Sequence, residues 1–151
     1  MKQTQAEQFM KAAMQEGRKA LTKCKPNPPV GCVLVKSGNI IAKGHTNKPG
    51  QPHAEAMALN QLQGNLDNVI AFVTLEPCSY YGRTASCAQE LVKRGVKKVY
   101  VGIIDSHPKN QGAGIDILKK AGVSVHLGLL ENEIRKDIED FLSVDYSDLH
   151  I

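Results

Sequence analysis

Residues 69–104, VIAFVTLEPCSYYGRTASCAQELVKRGVKKVYVGII, decide the fold. Val69 to Leu75 is a short apolar run rich in β-branched residues, the pattern of a strand buried on both faces. Ala85 to Arg94 then carries apolar residues at helical spacing and stops at Gly95, a residue suited to ending a helix. Val96 to Ile104 is a second buried strand. Strand, helix and strand in that order require a crossover and a parallel pair.

The pattern extends outward in both directions. Downstream, Gly114 to Ala121 reads as a helix closed by Gly122, Val123 to Leu127 as a last strand, and Leu130 to Val144 as an amphipathic helix. Upstream, Ala54, Ala56, Met57, Ala58, Leu59 and Leu62 mark a helix with Pro52 near its first turn. Val30 to Val35 and Ile40 to Gly44 flank Lys36-Ser37-Gly38-Asn39, whose Gly and Asn suit the tight reversal of an antiparallel hairpin. Gln3 to Lys19 reads as a first helix, and Lys25-Pro26-Asn27-Pro28-Pro29 forbids its continuation. These elements predict an α/β fold, a three-layer α/β/α sandwich around a mixed five-stranded sheet. Residues 1–144 form a single domain on this reading, and residues 145–151 a C-terminal tail without periodicity.

The 151 residues suffice for one core and are too few for two ordinary domains. A hydrophobic fraction of 42% and a charged fraction of 23% are those of a folded water-soluble chain, and no apolar run has the length of a membrane span. The N-terminal stretch lacks the apolar segment of a secretory signal, so the cytoplasm is the expected compartment and the four cysteines are expected to stay thiols. The net charge of +4 is spread out apart from Lys93-Arg94, Lys97-Lys98 and Lys119-Lys120, and there is no Trp to stack on bases. Nucleic acid is therefore not the expected partner.

His53-Ala54-Glu55, Pro77-Cys78 and Cys87 carry the chemistry. A catalytic zinc takes three protein ligands and leaves a fourth position for water, and His53, Cys78 and Cys87 supply three. Glu55, two residues after the histidine, is not needed as a ligand and is free to move protons between water and substrate, the division of labour in zinc deaminases. Taken singly, the histidine reads as a satisfied polar group and the cysteines as small core hydrophobes. Their joint order points to one zinc per chain, although the same donors bind other divalent ions. Helix placement adds to this, because Cys87 falls in a first helical turn, where the backbone dipole favours a thiolate.

The strings Asn27-Pro28-Pro29-Val30-Gly31-Cys32, Gly50-Gln51-Pro52-His53-Ala54-Glu55 and Thr74-Leu75-Glu76-Pro77-Cys78-Ser79-Tyr80-Tyr81-Gly82-Arg83-Thr84-Ala85-Ser86-Cys87 resemble the pyrimidine deaminase domain of riboflavin biosynthesis, in the cytidine-deaminase-like superfamily. The resemblance runs from about Phe9 to Leu142. It implies a diaminohydroxy-phosphoribosylamino-pyrimidine substrate, water as co-substrate, a homo-oligomer, and a separate reductase in the same pathway, since the fused reductase of that family is not in this sequence. It also implies that Asn27 contacts the pyrimidine, that Ser79, Arg83 and Thr84 belong to the substrate wall, and that Asp105, Lys109 and Asn110 lie toward a ribose phosphate. His45, at the hairpin end, is expected either to face the pocket or simply to end a strand. This chain departs from the family at Tyr80, where His is usual, at Ala85-Ser86, where Pro-Pro is usual, and at Ser106-His107, where Pro-Asn is usual. None of these touches a metal ligand. The alternatives are a paralogous deaminase of another nucleobase, nucleoside or aminated heterocycle, a nucleic-acid deaminase, and a non-catalytic zinc module, for which Glu55 would have no use. Cys32 is expected to be a buried thiol and Cys24 incidental. His107 is a possible member of a ligand loop, while His126 and His150 default to structural or surface roles.

Overall fold

The β-branched run before Pro77-Cys78 forms β3 (Val69–Leu75), and the run beyond Gly95 forms β4 (Lys98–Ile103). They pair in parallel, with Ala71 opposite Val99 and Val73 opposite Val101. The computed structural model describes residues 1–20, 24, 27–48, 51–79 and 86–142. Arg83, Thr84, Tyr80, Ala85 and the expected tail at 145–151 lie outside these.

β5 (Ser124–Leu127) joins β4 in parallel, while β1 (Gly31–Lys36) runs antiparallel to both β3 and β2 (Asn39–His45). The strand order is β2-β1-β3-β4-β5, so the sheet is mixed and five-stranded as the sequence predicts. The hairpin turns through Ser37 and Gly38, both at positive φ (52° and 79°), which matches the right-handed twist of the strands it joins.

Side chains alternate across the sheet and build a core on each face. On one face Cys32, Leu34, Ala71, Val73, Val99 and Val101 pack with residues of α2 (Ala54–Leu59), α3 (Cys87–Lys93) and α4 (Ala113–Lys120). On the other, Val33, Val35, Phe72 and Tyr100 meet Met10, Ala13 and Met14 of α1 (Gln3–Arg18) and Ile134 and Ile138 of α5 (Glu131–Leu142). A row of rings crosses this second face, with Phe72 stacked on Tyr100 at 4.6 Å and Tyr100 on His126 at 4.5 Å. These are the three layers that the alternation of elements implies.

The largest departure from the sequence reading is α2, which ends at Leu59 rather than running to Leu62, and which begins after Pro52 with His53 as its N-cap. The chain turns early because Arg94, at the end of α3, gathers its carbonyls. The guanidinium donates to the carbonyl oxygens of Leu59 at 3.0 Å, Leu62 at 2.8 Å and Gly64 at 3.2 Å. Arg94→Ala leaves these acceptors to water, and is expected to cost about 2 kcal/mol in a urea unfolding measurement, with Arg94→Lys recovering part of it. An unchanged midpoint for the alanine variant would show that the clasp contributes nothing.

Two glycines allow the close packing that positions the site. A Cβ on Gly44 of β2 would overlap the Ala54 carbonyl of α2, and one on Gly114 of α4 would overlap the Pro77 carbonyl. Only hydrogen fits at either place, so α2 and the turn carrying Cys78 are each held against a neighbouring backbone.

Candidate active site

Three elements converge at one end of the sheet. His53 caps α2, Cys78 follows the end of β3, and Cys87 opens α3. The ligand atoms of these three side chains all lie within 4.8 Å of one another, with His53 Nδ1 at 3.7 Å from Cys78 Sγ and 3.4 Å from Cys87 Sγ. Local backbone contacts hold the pair of thiols: the Cys87 amide donates to Cys78 Sγ at 3.2 Å, and the Ala88 amide to the Cys78 carbonyl at 3.0 Å. Ser86 caps α3, its hydroxyl accepting from the Gln89 amide and donating to the Cys78 carbonyl. One imidazole and two thiols at this spacing form a donor set suited to a soft divalent ion, zinc among them.

The electrostatics of the cluster are those of groups sharing protons. The side-chain hydrogen bond from Cys87 brings the Cys78 thiol down to about 5, and the same shared proton, with burial, holds the Cys87 thiol well above its ordinary value. His53 is raised, chiefly by its hydrogen bond with Cys78. Glu55, in the first turn of α2, is 4% exposed, and burial pushes its carboxyl up to about 7, with the negative charge of Cys78 adding to the shift. A carboxyl that takes up and gives back a proton near neutrality suits general acid–base work.

His53, Glu55 and Cys78 border one cavity. Asn27, Pro28, Val30, Thr46, Ala54, Leu75, Glu76, Asp105 and His107 complete its described lining. Thr46 fixes the Asn27-Pro28 wall: its hydroxyl donates to the Pro28 carbonyl at 3.0 Å and accepts from the Val30 amide at 2.8 Å.

Glu76 organises the opposite loop. Its Oε1 accepts from the amides of Asp105 at 3.1 Å and Gly112 at 2.9 Å, and its Oε2 from that of Ile115 at 3.0 Å. The carboxylate thus ties the end of β3 to the loop after β4 and to the first turn of α4, where backbone N–H groups otherwise lack partners. Sequence reasoning passes over Glu76, together with Thr46, because neither residue type stands out beside the histidine and the cysteines.

Of the sequence-predicted substrate residues, Asn27 and Asp105 line the cavity, and burial raises the Asp105 carboxyl. Asn110 is placed differently. It is 3% exposed, its Oδ1 accepts from the Gly114 amide at 3.1 Å and its Nδ2 donates to the Pro77 carbonyl at 3.2 Å, so its amide is occupied in holding the loop. Lys109 contributes backbone contacts to the same loop, its carbonyl accepting from Ser79 Oγ at 3.3 Å; among the described residues neither it nor Ser79 borders the cavity. His45 is turned toward α1, its Nδ1 3.5 Å from Glu16 Oε2, an ion-pair separation without hydrogen-bond alignment. It too is outside the described lining, because its place opposite Gly31 in the hairpin puts it on the α1 face. Cys32 is buried in the core beneath the site, which raises its thiol.

A histidine, two cysteines and a buried glutamate, gathered at one end of a mixed five-stranded α/β sandwich, define a class: the chain belongs to the cytidine and deoxycytidylate deaminase family, whose zinc-binding region matches residues 3–103. Within that class it is similar to the riboflavin biosynthesis protein RibD of Aquifex aeolicus, 40% identical over 135 residues that make up 89% of this chain and 38% of the relative. Among solved structures, RibD of Acinetobacter baumannii superposes with a TM-score of 0.89 at 44% identity, over 93% of this chain and 40% of that one. A Thermotoga maritima protein described as a diaminohydroxyphosphoribosylaminopyrimidine deaminase/5-amino-6-(5-phosphoribosylamino)uracil reductase gives a TM-score of 0.89 at 38% identity, over 93% of this chain and 41% of that one. The chain thus spans about two-fifths of the length of each. No helix among the described residues is long and apolar enough to cross a membrane.

Proposed function

We propose that the chain is a zinc-dependent hydrolytic deaminase whose substrate is 2,5-diamino-6-ribosylamino-4(3H)-pyrimidinone 5′-phosphate, the aminopyrimidine of the riboflavin pathway. The observation that carries the reaction type is the placement of His53, Cys78 and Cys87, with ligand atoms within 4.8 Å of one another, beside a buried Glu55 on one cavity. The similarity to the RibD proteins supports the choice of substrate. Their greater length is consistent with a reductase acting next on the product.

In this reading His53, Cys78 and Cys87 hold the metal. When bound, zinc supplies Lewis-acid activation of water near neutral pH. Glu55 accepts a proton from water as the water oxygen adds to the amine-bearing ring carbon. It delivers that proton to the adjacent ring nitrogen, then assists the second transfer, to the departing amine. A C–O bond forms, the C–N bond breaks, and ammonia leaves, so that amine and water are exchanged for carbonyl and ammonia with no redox change. Burial of Glu55 keeps bulk water from competing for the proton, while Asn27 and Asp105 border the cavity from two different loops.

The test is ammonia release by zinc-loaded protein on this phosphate ester, with cytidine, deoxycytidylate, guanine and adenosine in parallel. The reading expects the riboflavin-pathway compound to be turned over far faster than the others. Turnover of another compound in its place would move the chain to a different branch of the family.

A further inference from the structure

We infer that Ser86 is a positioning residue of the metal site: its buried hydroxyl fixes the backbone of Cys78 against the start of α3 and so sets how tightly the cluster holds zinc. This rests on the metal reading above. Cys78 and Cys87 are nine positions apart and arrive on different elements, one just beyond β3 and the other opening α3. Between them the Ser86 hydroxyl donates to the Cys78 carbonyl at 2.8 Å and accepts from the Gln89 amide at 3.3 Å, in a residue with no exposed surface. A hydroxyl has one proton to give, and here it goes to Cys78, while a lone pair caps the helix that Cys87 begins.

These contacts close a small ring. Holding the Cys78 carbonyl fixes the peptide plane beyond its Cα, and with it the torsion that relates that plane to the thiol. On the other side Ser86 leads straight into the Cys87 amide, which donates back to Cys78 Sγ at 3.2 Å. The turn before Cys78 is fastened separately, with the Pro77 carbonyl accepting from Asn110 Nδ2 at 3.2 Å. What joins Cys78 to α3 is therefore the Ser86 hydroxyl together with the Ala88 amide, 3.0 Å from the same carbonyl. Without the hydroxyl that carbonyl keeps one partner, so the fold survives. The two thiols are then less well fixed before the metal arrives, and part of the binding free energy goes into ordering them.

The test is the zinc dissociation constant, read by competition with a colorimetric chelator at fixed pH, alongside urea unfolding of the zinc-free protein. The parent is compared with Ser86→Ala, Ser86→Thr and Glu90→Gly. The alanine variant removes the hydroxyl and the threonine variant keeps it, while glycine at Glu90 weakens the first turn of α3 with Ser86 in place. The expected dissociation constant is about ten- to a hundredfold higher in Ser86→Ala, and within about threefold of the parent in Ser86→Thr and Glu90→Gly. A residue that only caps the helix stabilises the zinc-free and zinc-bound protein alike, so it moves the urea midpoint and leaves zinc affinity where it was. Unchanged affinity in Ser86→Ala, equal weakening in Glu90→Gly, or a threonine variant as weak as the alanine one each overturns the inference. Release of zinc from the loaded proteins into excess chelator gives the same comparison if the zinc-free alanine variant does not stay folded. A parent protein that takes up no zinc would remove the metal reading and the inference with it, whereas a parent that binds one zinc per chain, matched by Ser86→Ala, removes the inference alone.

Discussion

Glu55→Gln is expected to lower kcat for deamination by about a thousandfold while the protein still binds one zinc per chain. The amide has the shape of the carboxyl and can occupy the same buried place in the first turn of α2, but it cannot take a proton from water and return it to the leaving amine. Since His53, Cys78 and Cys87 form the donor cluster without Glu55, the metal content should not change. Ammonia release and elemental analysis of the same sample check both halves of the statement. A variant that keeps its zinc and loses less than about tenfold in rate would remove Glu55 from proton transfer. A variant that loses its zinc would make Glu55 part of the metal site.

The second large effect belongs to Glu76. Glu76→Ala leaves three amides, those of Asp105, Gly112 and Ile115, without their acceptor in a buried loop. Hydrogen bonds to a charged acceptor contribute more than neutral ones, and an orphaned buried donor costs further, so the expected loss is about 4 kcal/mol in urea unfolding. Glu76→Gln is expected to fall between the two, because its oxygen still serves part of the set while its NH₂ opposes one of the remaining N–H groups. The loop carrying Asp105 and His107 is released with the carboxylate, so KM should rise in the glutamine variant even where it stays folded. Wild-type stability in Glu76→Ala would mean that the three amides find water at no cost.

The parts of the molecule that were legible in advance are those where local pattern and tertiary role coincide. Val69 to Leu75 and Val96 to Ile104 read as buried strands, observed as Val69–Leu75 and Lys98–Ile103, because a central parallel pair is covered on both faces and tolerates no polar alternation. The hairpin was legible in Gly38-Asn39, and the metal cluster in the rarity of its residue types. What was not legible depends on partners far along the chain. Glu76 looks like an ordinary polar residue after a strand, and its role arises only when amides 29, 36 and 39 positions downstream fold over it. Asn110 sits in a polar loop that suggests a ligand site, yet the loop turns its amide inward. Leu62 continues the apolar period of α2, but Arg94, 32 positions later, takes its carbonyl and ends the helix sooner. The side of the sheet on which His45 falls follows from hairpin register, and with it the approach to Glu16, a buried carboxylate on a helix face that is otherwise apolar.

The central claim is that this constellation exchanges an exocyclic amine of a pyrimidine for oxygen taken from water. The measurement that tests it most directly is mass spectrometry of the product formed from the riboflavin-pathway pyrimidine phosphate in heavy-oxygen-labelled water, by the zinc-loaded protein and by the Glu55→Gln variant. The account predicts a deaminated product carrying one labelled oxygen, with one ammonia released per product, and almost none from the variant. A product that keeps its amine, or one formed equally well without Glu55, would contradict it.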